Sequence, residues 1–205
     1  MSRNRWIELT ERNPEHSTWY IERFRAMAAA GTDLAGEARF VDAMVARHSR
    51  VLDAGCGPGR VGAQLAELGH DVVGVDIDPV LIAAADHDHP GPVWKVADLA
   101  EFDLAAMGIE PKFDVVVCAG NVMTFLDPTT RRAVLGRLAA HLNSGGRIAI
   151  GFGSGRGYEF AEFLDDVTQV KLEADVLLSS WDLRPLTADS DFIVAVLSAS
   201  QVQSP

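Results

Sequence analysis

The segment Val51-Leu52-Asp53-Ala54-Gly55-Cys56-Gly57-Pro58-Gly59-Arg60 sets three glycines within five residues directly behind a short apolar run. Such a run reads as a buried strand, and the pattern from Arg60 onward reads as a helix, so the glycines form the turn between them. A plain turn needs one glycine. Three let the backbone take positive φ and let a ligand approach the main chain, while amides at the helix start face an incoming polar group. The turn therefore predicts an α/β chain that docks something small at this point.

The rest of the chain agrees. After residue 49, short Val/Leu/Ile runs at 50–54, 71–76, 92–96, 113–119 and 147–152 alternate with helical patterns near 60–69, 79–87 and 129–142. That alternation is the pattern of parallel strands buried on both faces. Gly69, Asp127-Pro128 and Gly145-Gly146 mark element ends. Before this core lies a helical preface of two segments. Ser17 caps the first, which carries Tyr20, Phe24 and Met27 on one face and ends at Gly31; the second spans 33–48, with Phe40, Val41, Met44 and Val45 at helical spacing. The last third reads as a helix near 157–167 followed by a hairpin of strands 176–181 and 191–199, with 169–175 left open between helix and strand.

Composition narrows the function. A chain of 205 residues predicts one domain, and 18 Lys and Arg against 29 Asp and Glu leave a net charge of −11, a poor footprint for a phosphate backbone. Two cysteines, Cys56 and Cys118, make no disulfide scaffold. They read as small buried thiols, and the chain reads as cytoplasmic, since neither the polar stretch 1–13 nor any later one resembles a signal peptide or membrane anchor. Asp86-His87-Asp88-His89 reads as a solvated loop, because consecutive ligands do not converge on one ion, so no metal is expected. His16, His48, His70 and His141 sit singly at element edges, where surface or capping roles are expected.

The dinucleotide pattern G-x-G-x-x-G fails at Arg60, which stands where its third glycine belongs, so a nicotinamide oxidoreductase becomes a competing function only. A second strand ends at Asp76, about twenty residues beyond the turn, where a carboxylate can accept both hydroxyls of a ribose. Asp78, just before Pro79, suits the cap of the following helix.

With V-L-D-A-G-C-G-P-G-R, V-V-G-V-D-I-D-P, V-A-D-L at 96–99, F-D-V-V-V-C-A-G-N at 113–121 and L-N-S-G-G-R-I-A-I at 142–150 in this order, the sequence resembles the class I S-adenosylmethionine-dependent methyltransferases. The resemblance covers residues 50–152. It implies a Rossmann-like three-layer fold with a seven-stranded, mostly parallel sheet in the order 3-2-1-4-5-7-6, strand seven antiparallel. It divides the chain into an N-terminal helical lid, 1–48, and a cofactor-binding methyltransferase domain, 49–205.

Carried over by position, the resemblance sets Gly55, Cys56, Gly57 and Gly59 against the methionine part of the cofactor, with Asp53 near its ammonium group. Asp76 takes the ribose, Ile77 lies against the adenine, and Asp98 with the Leu99 amide reads the adenine edge. Ala119, Gly120 and Asn121 close the other side. The preface would bring Trp19, Tyr20 and Arg23 or Arg39 to the opening, with Arg39 paired to the cofactor carboxylate, and Tyr158 and Trp181 would be acceptor-pocket walls. No general base is evident; Asn121 and Tyr20 are the catalytic candidates. Ala119-Gly120-Asn121-Val122 departs from the N/D-P-P-Y/F motif of enzymes that methylate flipped bases. The expectation is therefore a methyltransferase that moves a methyl group in line to a small organic acceptor and releases S-adenosylhomocysteine. It would act without nucleic acid, membrane or metal, as a monomer or homodimer. A cofactor-binding sensor or assembly protein without turnover is the competing reading from another class.

Overall fold

The computed structural model describes residues 3–200. Seven strands form one sheet in the order β3-β2-β1-β4-β5-β7-β6. These are β1 (Arg50–Ala54), β2 (Asp71–Asp76), β3 (Val93–Val96), β4 (Phe113–Cys118), β5 (Leu142–Gly153), β6 (Leu172–Leu178) and β7 (Phe192–Ala199). Pairings from β3 through β5 are parallel, and β7 runs antiparallel to both β5 and β6. Order and hairpin match the expectation.

Alternation along the central strands sends side chains to two cores. On one face Val51, Val115 and Val117 pack against Ala38, Phe40 and Val41 of α3 (Gly36–Met44) and Val61 and Leu65 of α4 (Arg60–Glu67). On the other, Leu52, Val116 and Ile148 pack against Val134, Leu135 and Leu138 of α7 (Arg131–Ala140) and Phe163 and Val167 of α8 (Phe160–Gln169). Burying the central strands on both faces fixes their carboxyl ends as a rigid rim. Helix α5 (Pro79–Asp88) begins as Asp78 and Pro79 suggest: the Asp78 side chain accepts the Val80 and Leu81 N–H groups.

Several boundaries differ from the sequence expectation. The expected first segment is α2 (His16–Ala29), and one further helix precedes it, α1 (Arg5–Arg12), which the pattern did not suggest. Asn4 caps α1 by accepting the Trp6 N–H. Ser17 is no cap; it lies inside α2 and sends its hydroxyl to Asp78. Helix α3 stops at Met44 rather than 48. A short α6 (Val122–Phe125) follows β4. Gly145-Gly146 lies within β5 instead of before it, at a register shift against β4. There Gly145 has φ +76°, and a Cβ on Gly146 would press on the carbonyls of Asn143, Asp114 and Phe113. Strand β6 starts at Leu172, inside the stretch left open, and ends before Trp181. Among the described residues no helix is long and apolar enough to cross a membrane, and no cluster of His, Cys, Asp or Glu is arranged to hold a metal.

Candidate active site

The carboxyl ends of β1, β2 and β4 open into a cleft that the N-terminal helices partly cover. Its floor is the turn after β1. The N–H groups of Gly55 and Cys56 both donate to the Val75 carbonyl, at 2.8 and 3.0 Å, which ties the turn to β2. Gly55, Gly57 and Gly59 all take positive φ, and Gly59 is the residue from which α4 starts. A Cβ on Gly55 would overlap the Val122 side chain, so that glycine is needed for the close approach of α6. At Gly57 the nearest side-chain atom to such a Cβ is Tyr20 Cε1 at 3.8 Å, so the added group would stand in the cleft itself.

Two buried carboxylates flank the floor. Asp53 accepts the Gly62 N–H at 2.9 Å, and Asp76 accepts the N–H groups of Gly57 and Asp78, each at 2.9 Å. Among the described residues neither forms an ion pair; the nearest guanidinium in the cleft, Arg60, is held by Glu37 at 2.5 Å. Burial pushes Asp53 up to about 7 and Asp76 up to about 6, with the N–H bonds acting against the rise. Carboxylates buried without a cation favour an arriving cationic ligand, and the unused lone pairs of Asp76 favour hydroxyl donors.

The folded protein holds protons on Asp53 that the unfolded chain, with a carboxyl near 3.8, has already released. The contribution of this group is therefore greatest below about pH 4 and is lost as pH rises through about 7. Asp53→Asn keeps an acceptor for the Gly62 N–H and removes the charge. In chemical denaturation across pH 5–8, the variant should gain on the ligand-free wild type as pH rises, reaching on the order of 2 kcal/mol at pH 8. Parallel curves for the two proteins would show that the buried charge carries no such cost.

The remaining walls come from four places. Ile77 and Leu81 follow β2, Asp98 and Leu99 follow β3, Ala119, Gly120 and Val122 follow β4, and Asn4, Trp6, Tyr20 and Phe24 come from the N-terminal helices. Asp98 accepts the Ala100 N–H at 2.8 Å on Oδ1. Tyr20 reaches from Gly57 to Gly120, its hydroxyl 3.9 Å from the Cβ position of the latter, and burial pushes its phenol up. Around it Trp6 meets the edges of Tyr20 and Phe125, and Tyr20 meets Phe24, with ring centroids 5.0–5.6 Å apart.

Of the residues singled out in the sequence, the cleft brings together Asp53, Gly55, Cys56, Gly57, Asp76, Ile77, Asp98, Leu99, Ala119, Gly120 and Tyr20, with Gly59 immediately behind the floor. Others lie elsewhere. The Asn121 carboxamide turns away and accepts the Gly153 N–H at 2.8 Å. Arg39 is exposed and paired with Asp33, and Trp19 is 55% exposed beside His16. Arg23 lies over the Trp19 and Phe24 rings. Tyr158 is no pocket wall: it is fully buried among Phe152 and Phe163 and donates to Asp166. Trp181 packs on Phe40 over Gly151, in a separate depression that Arg39 also borders.

Cys56 and Cys118 are free and buried, and Asp86, His87 and Asp88, expected in a solvated loop, form the last turn of α5, with Asp88 paired to Arg25. His70 departs from the expected surface or capping role, being buried on Asp42, whereas His141 takes the capping role at the end of α7, its Nδ1 2.7 Å from the Arg137 carbonyl, and is buried against Phe102. The pattern did not single out Trp6, Leu81, Val122 or Phe125. Their signal, apolar residues near strand ends and on short helices, is the same as that of core packing.

The model of the methyltransferase domain family matches residues 51–146. The crystal structure of a TehB-like SAM-dependent methyltransferase from Corynebacterium glutamicum superposes with a TM-score of 0.87 at 46% identity, covering 92% of this chain and all of that one. A magnesium-protoporphyrin O-methyltransferase of Rhodobacter capsulatus is 39% identical over 90 residues, 42% of this chain and 38% of that protein. An uncharacterized methyltransferase of Mycobacterium tuberculosis is 36% identical over 113 residues, 54% of each protein. The matches thus span about half the length, or less, of these two curated relatives.

Proposed function

Since the chain belongs to the class I S-adenosylmethionine-dependent methyltransferases, we propose that it methylates a small organic acceptor bound beneath its N-terminal helices, with the methyl donor on the glycine floor. The observation that carries this reading is the composition of the cleft: an acidic, amide-lined floor below a roof of Trp6, Tyr20, Phe24 and Phe125. The floor suits a cationic nucleoside with a ribose, and the roof suits a compact acceptor with an apolar face. The net charge of −11 weighs against a nucleic-acid acceptor.

The residues fit the cofactor. Asp53 has an oxygen left for the ammonium group, and Asp76, with one N–H on each oxygen, keeps a lone pair on each for the ribose hydroxyls. Ile77 and Leu99 offer apolar faces to the adenine, Asp98 keeps Oδ2 for its amine, and the backbone beside Ala119 and Gly120 closes the opposite wall. When bound, the cofactor supplies a methyl on cationic sulfur, open to in-line displacement by a nucleophile held about 3–3.5 Å away. The chain then has three tasks: to hold the acceptor, to exclude water, and to leave the line of attack clear. Residues 1–48 act in this reading as the lid, and 49–205 as the catalytic domain. Tyr20, whose phenol burial keeps protonated, orients by hydrogen bonding instead of acting as a base. Asn121 serves through Gly153, by setting the end of β5.

The test is acceptor-dependent formation of S-adenosylhomocysteine, followed by mass spectrometry across small hydroxyl, amine, thiol and carboxylate acceptors. Conversion that requires one class supports the reading and names its acceptor atom. Cofactor binding with no acceptor-dependent conversion throughout the panel would contradict it and favour a sensor.

A further inference from the structure

Asp78 lies just outside the cleft, where α1, α2, the start of α5 and the end of β2 all meet on it. Its two oxygens divide the work. Oδ1 accepts the N–H groups of Val80 at 2.8 Å and Leu81 at 3.4 Å, the cap of α5. Oδ2 accepts the Trp6 indole N–H of α1 at 2.8 Å and the Ser17 hydroxyl of α2 at 2.5 Å. The Asp78 N–H in turn donates to Oδ1 of Asp76, the carboxylate placed at the ribose. Asp78 and Ser17 are both buried, at 6% and 3% exposure, so water replaces none of these bonds without the helices first moving. Trp6 also carries the aromatic roof, since Tyr20 and Phe125 both pack on it.

We propose that Asp78 is a positioning residue that couples the seating of α1 and α2 over the cleft to the ribose-binding carboxylate, so that cofactor exchange requires release of the Trp6 and Ser17 bonds. The proposal rests on the reading of the cleft as the S-adenosylmethionine site. One residue, Ile77, separates Asp76 from Asp78, and the two share a hydrogen bond, so an arrangement of this loop that favours the seated helices also favours the ribose geometry. Such coupling is reciprocal: cofactor must hold the helices down as strongly as the helices hold the cofactor.

The two-oxygen division supplies the test. Asp78→Asn retains one acceptor, enough for the cap, at which Asn serves as well as Asp, but cannot serve Trp6 and Ser17 at the same time. Trp6→Phe with Ser17→Ala removes the donors and leaves the cap untouched. S-Adenosylhomocysteine release is measured by stopped flow, and amide exchange of residues 5–29 is measured with and without this ligand.

Each variant should release the ligand about tenfold faster, the combined variant no faster than either alone, and α1 and α2 should exchange faster in the ligand-free protein. Bound ligand should lose its protection of these helices. Additive effects, or faster exchange with an unchanged release rate, would overturn the coupling and leave Asp78 a purely structural cap. Wild-type protein that fails to bind the ligand would overturn the cofactor reading instead.

Discussion

Gly57→Val is expected to lower S-adenosylmethionine affinity at least about a hundredfold while the sheet stays folded, because a side chain here enters the cleft and not the protein core. Gly57 has φ +56°, and the nearest atom to an added Cβ is Tyr20 Cε1 at 3.8 Å. The branched side chain would therefore occupy the space above the floor and also strain a left-handed position that valine rarely adopts. Relief of that strain moves the Gly57 N–H, which Asp76 holds at 2.9 Å, so the floor and the Asp76 carboxylate, the proposed ribose partner, would be disturbed together. The same change at Gly55 would drive into Val122 and disturb α6, which makes Gly57 the cleaner probe. Calorimetric titration with a far-ultraviolet circular dichroism control decides the matter. A folded variant that titrates normally would remove the glycine floor from the account.

Asp76→Ala should weaken the cofactor by at least about tenfold, the loss expected when buried hydroxyls forfeit a charged acceptor worth about 1.5–3 kcal/mol. The ligand-free protein should behave differently: a carboxylate that burial pushes up to about 6 is removed, so its stability near pH 8 need not fall in step with affinity. Asp76→Asn, which keeps one acceptor, should lie between Ala and wild type. Unchanged affinity in the Ala variant would move the ribose elsewhere.

The part of the site that was legible in the sequence is the part written locally. The strand, three glycines and helix at 50–67 are contiguous, and Asp76 and Asp78 are identified by their places at a strand end and before a proline. The motif order then carried the sheet order, including the antiparallel β7. What was not legible depends on contacts between distant residues. Helix α1 is short and polar, and its value to the site comes from the Trp6 indole reaching Asp78, 72 positions away. Asn121 follows β4 as a cleft residue would, but the N–H of Gly153, 32 positions on, takes its carboxamide.

Arg39 and Trp19 lie on helices whose inward faces are chosen by packing, and both ended outside the cleft. Gly145-Gly146 has the composition of a turn and serves as a bend inside β5, because pairing with β4 continues on both sides of it. Tyr158 and Trp181 show the same limit for aromatic residues, which pack in cores and in pockets alike; here one fills the layer under α8 and the other covers Gly151.

The most direct measurement of the account is a titration of thermal stability with S-adenosylmethionine, S-adenosylhomocysteine and NADH side by side. At a hundred times its dissociation constant a ligand specific for the native state adds about 2.7 kcal/mol, well within reach of the method. Both adenosyl compounds should stabilise the protein, and NADH should not. Stabilisation by NADH alone would contradict the cofactor reading from Gly55 onward.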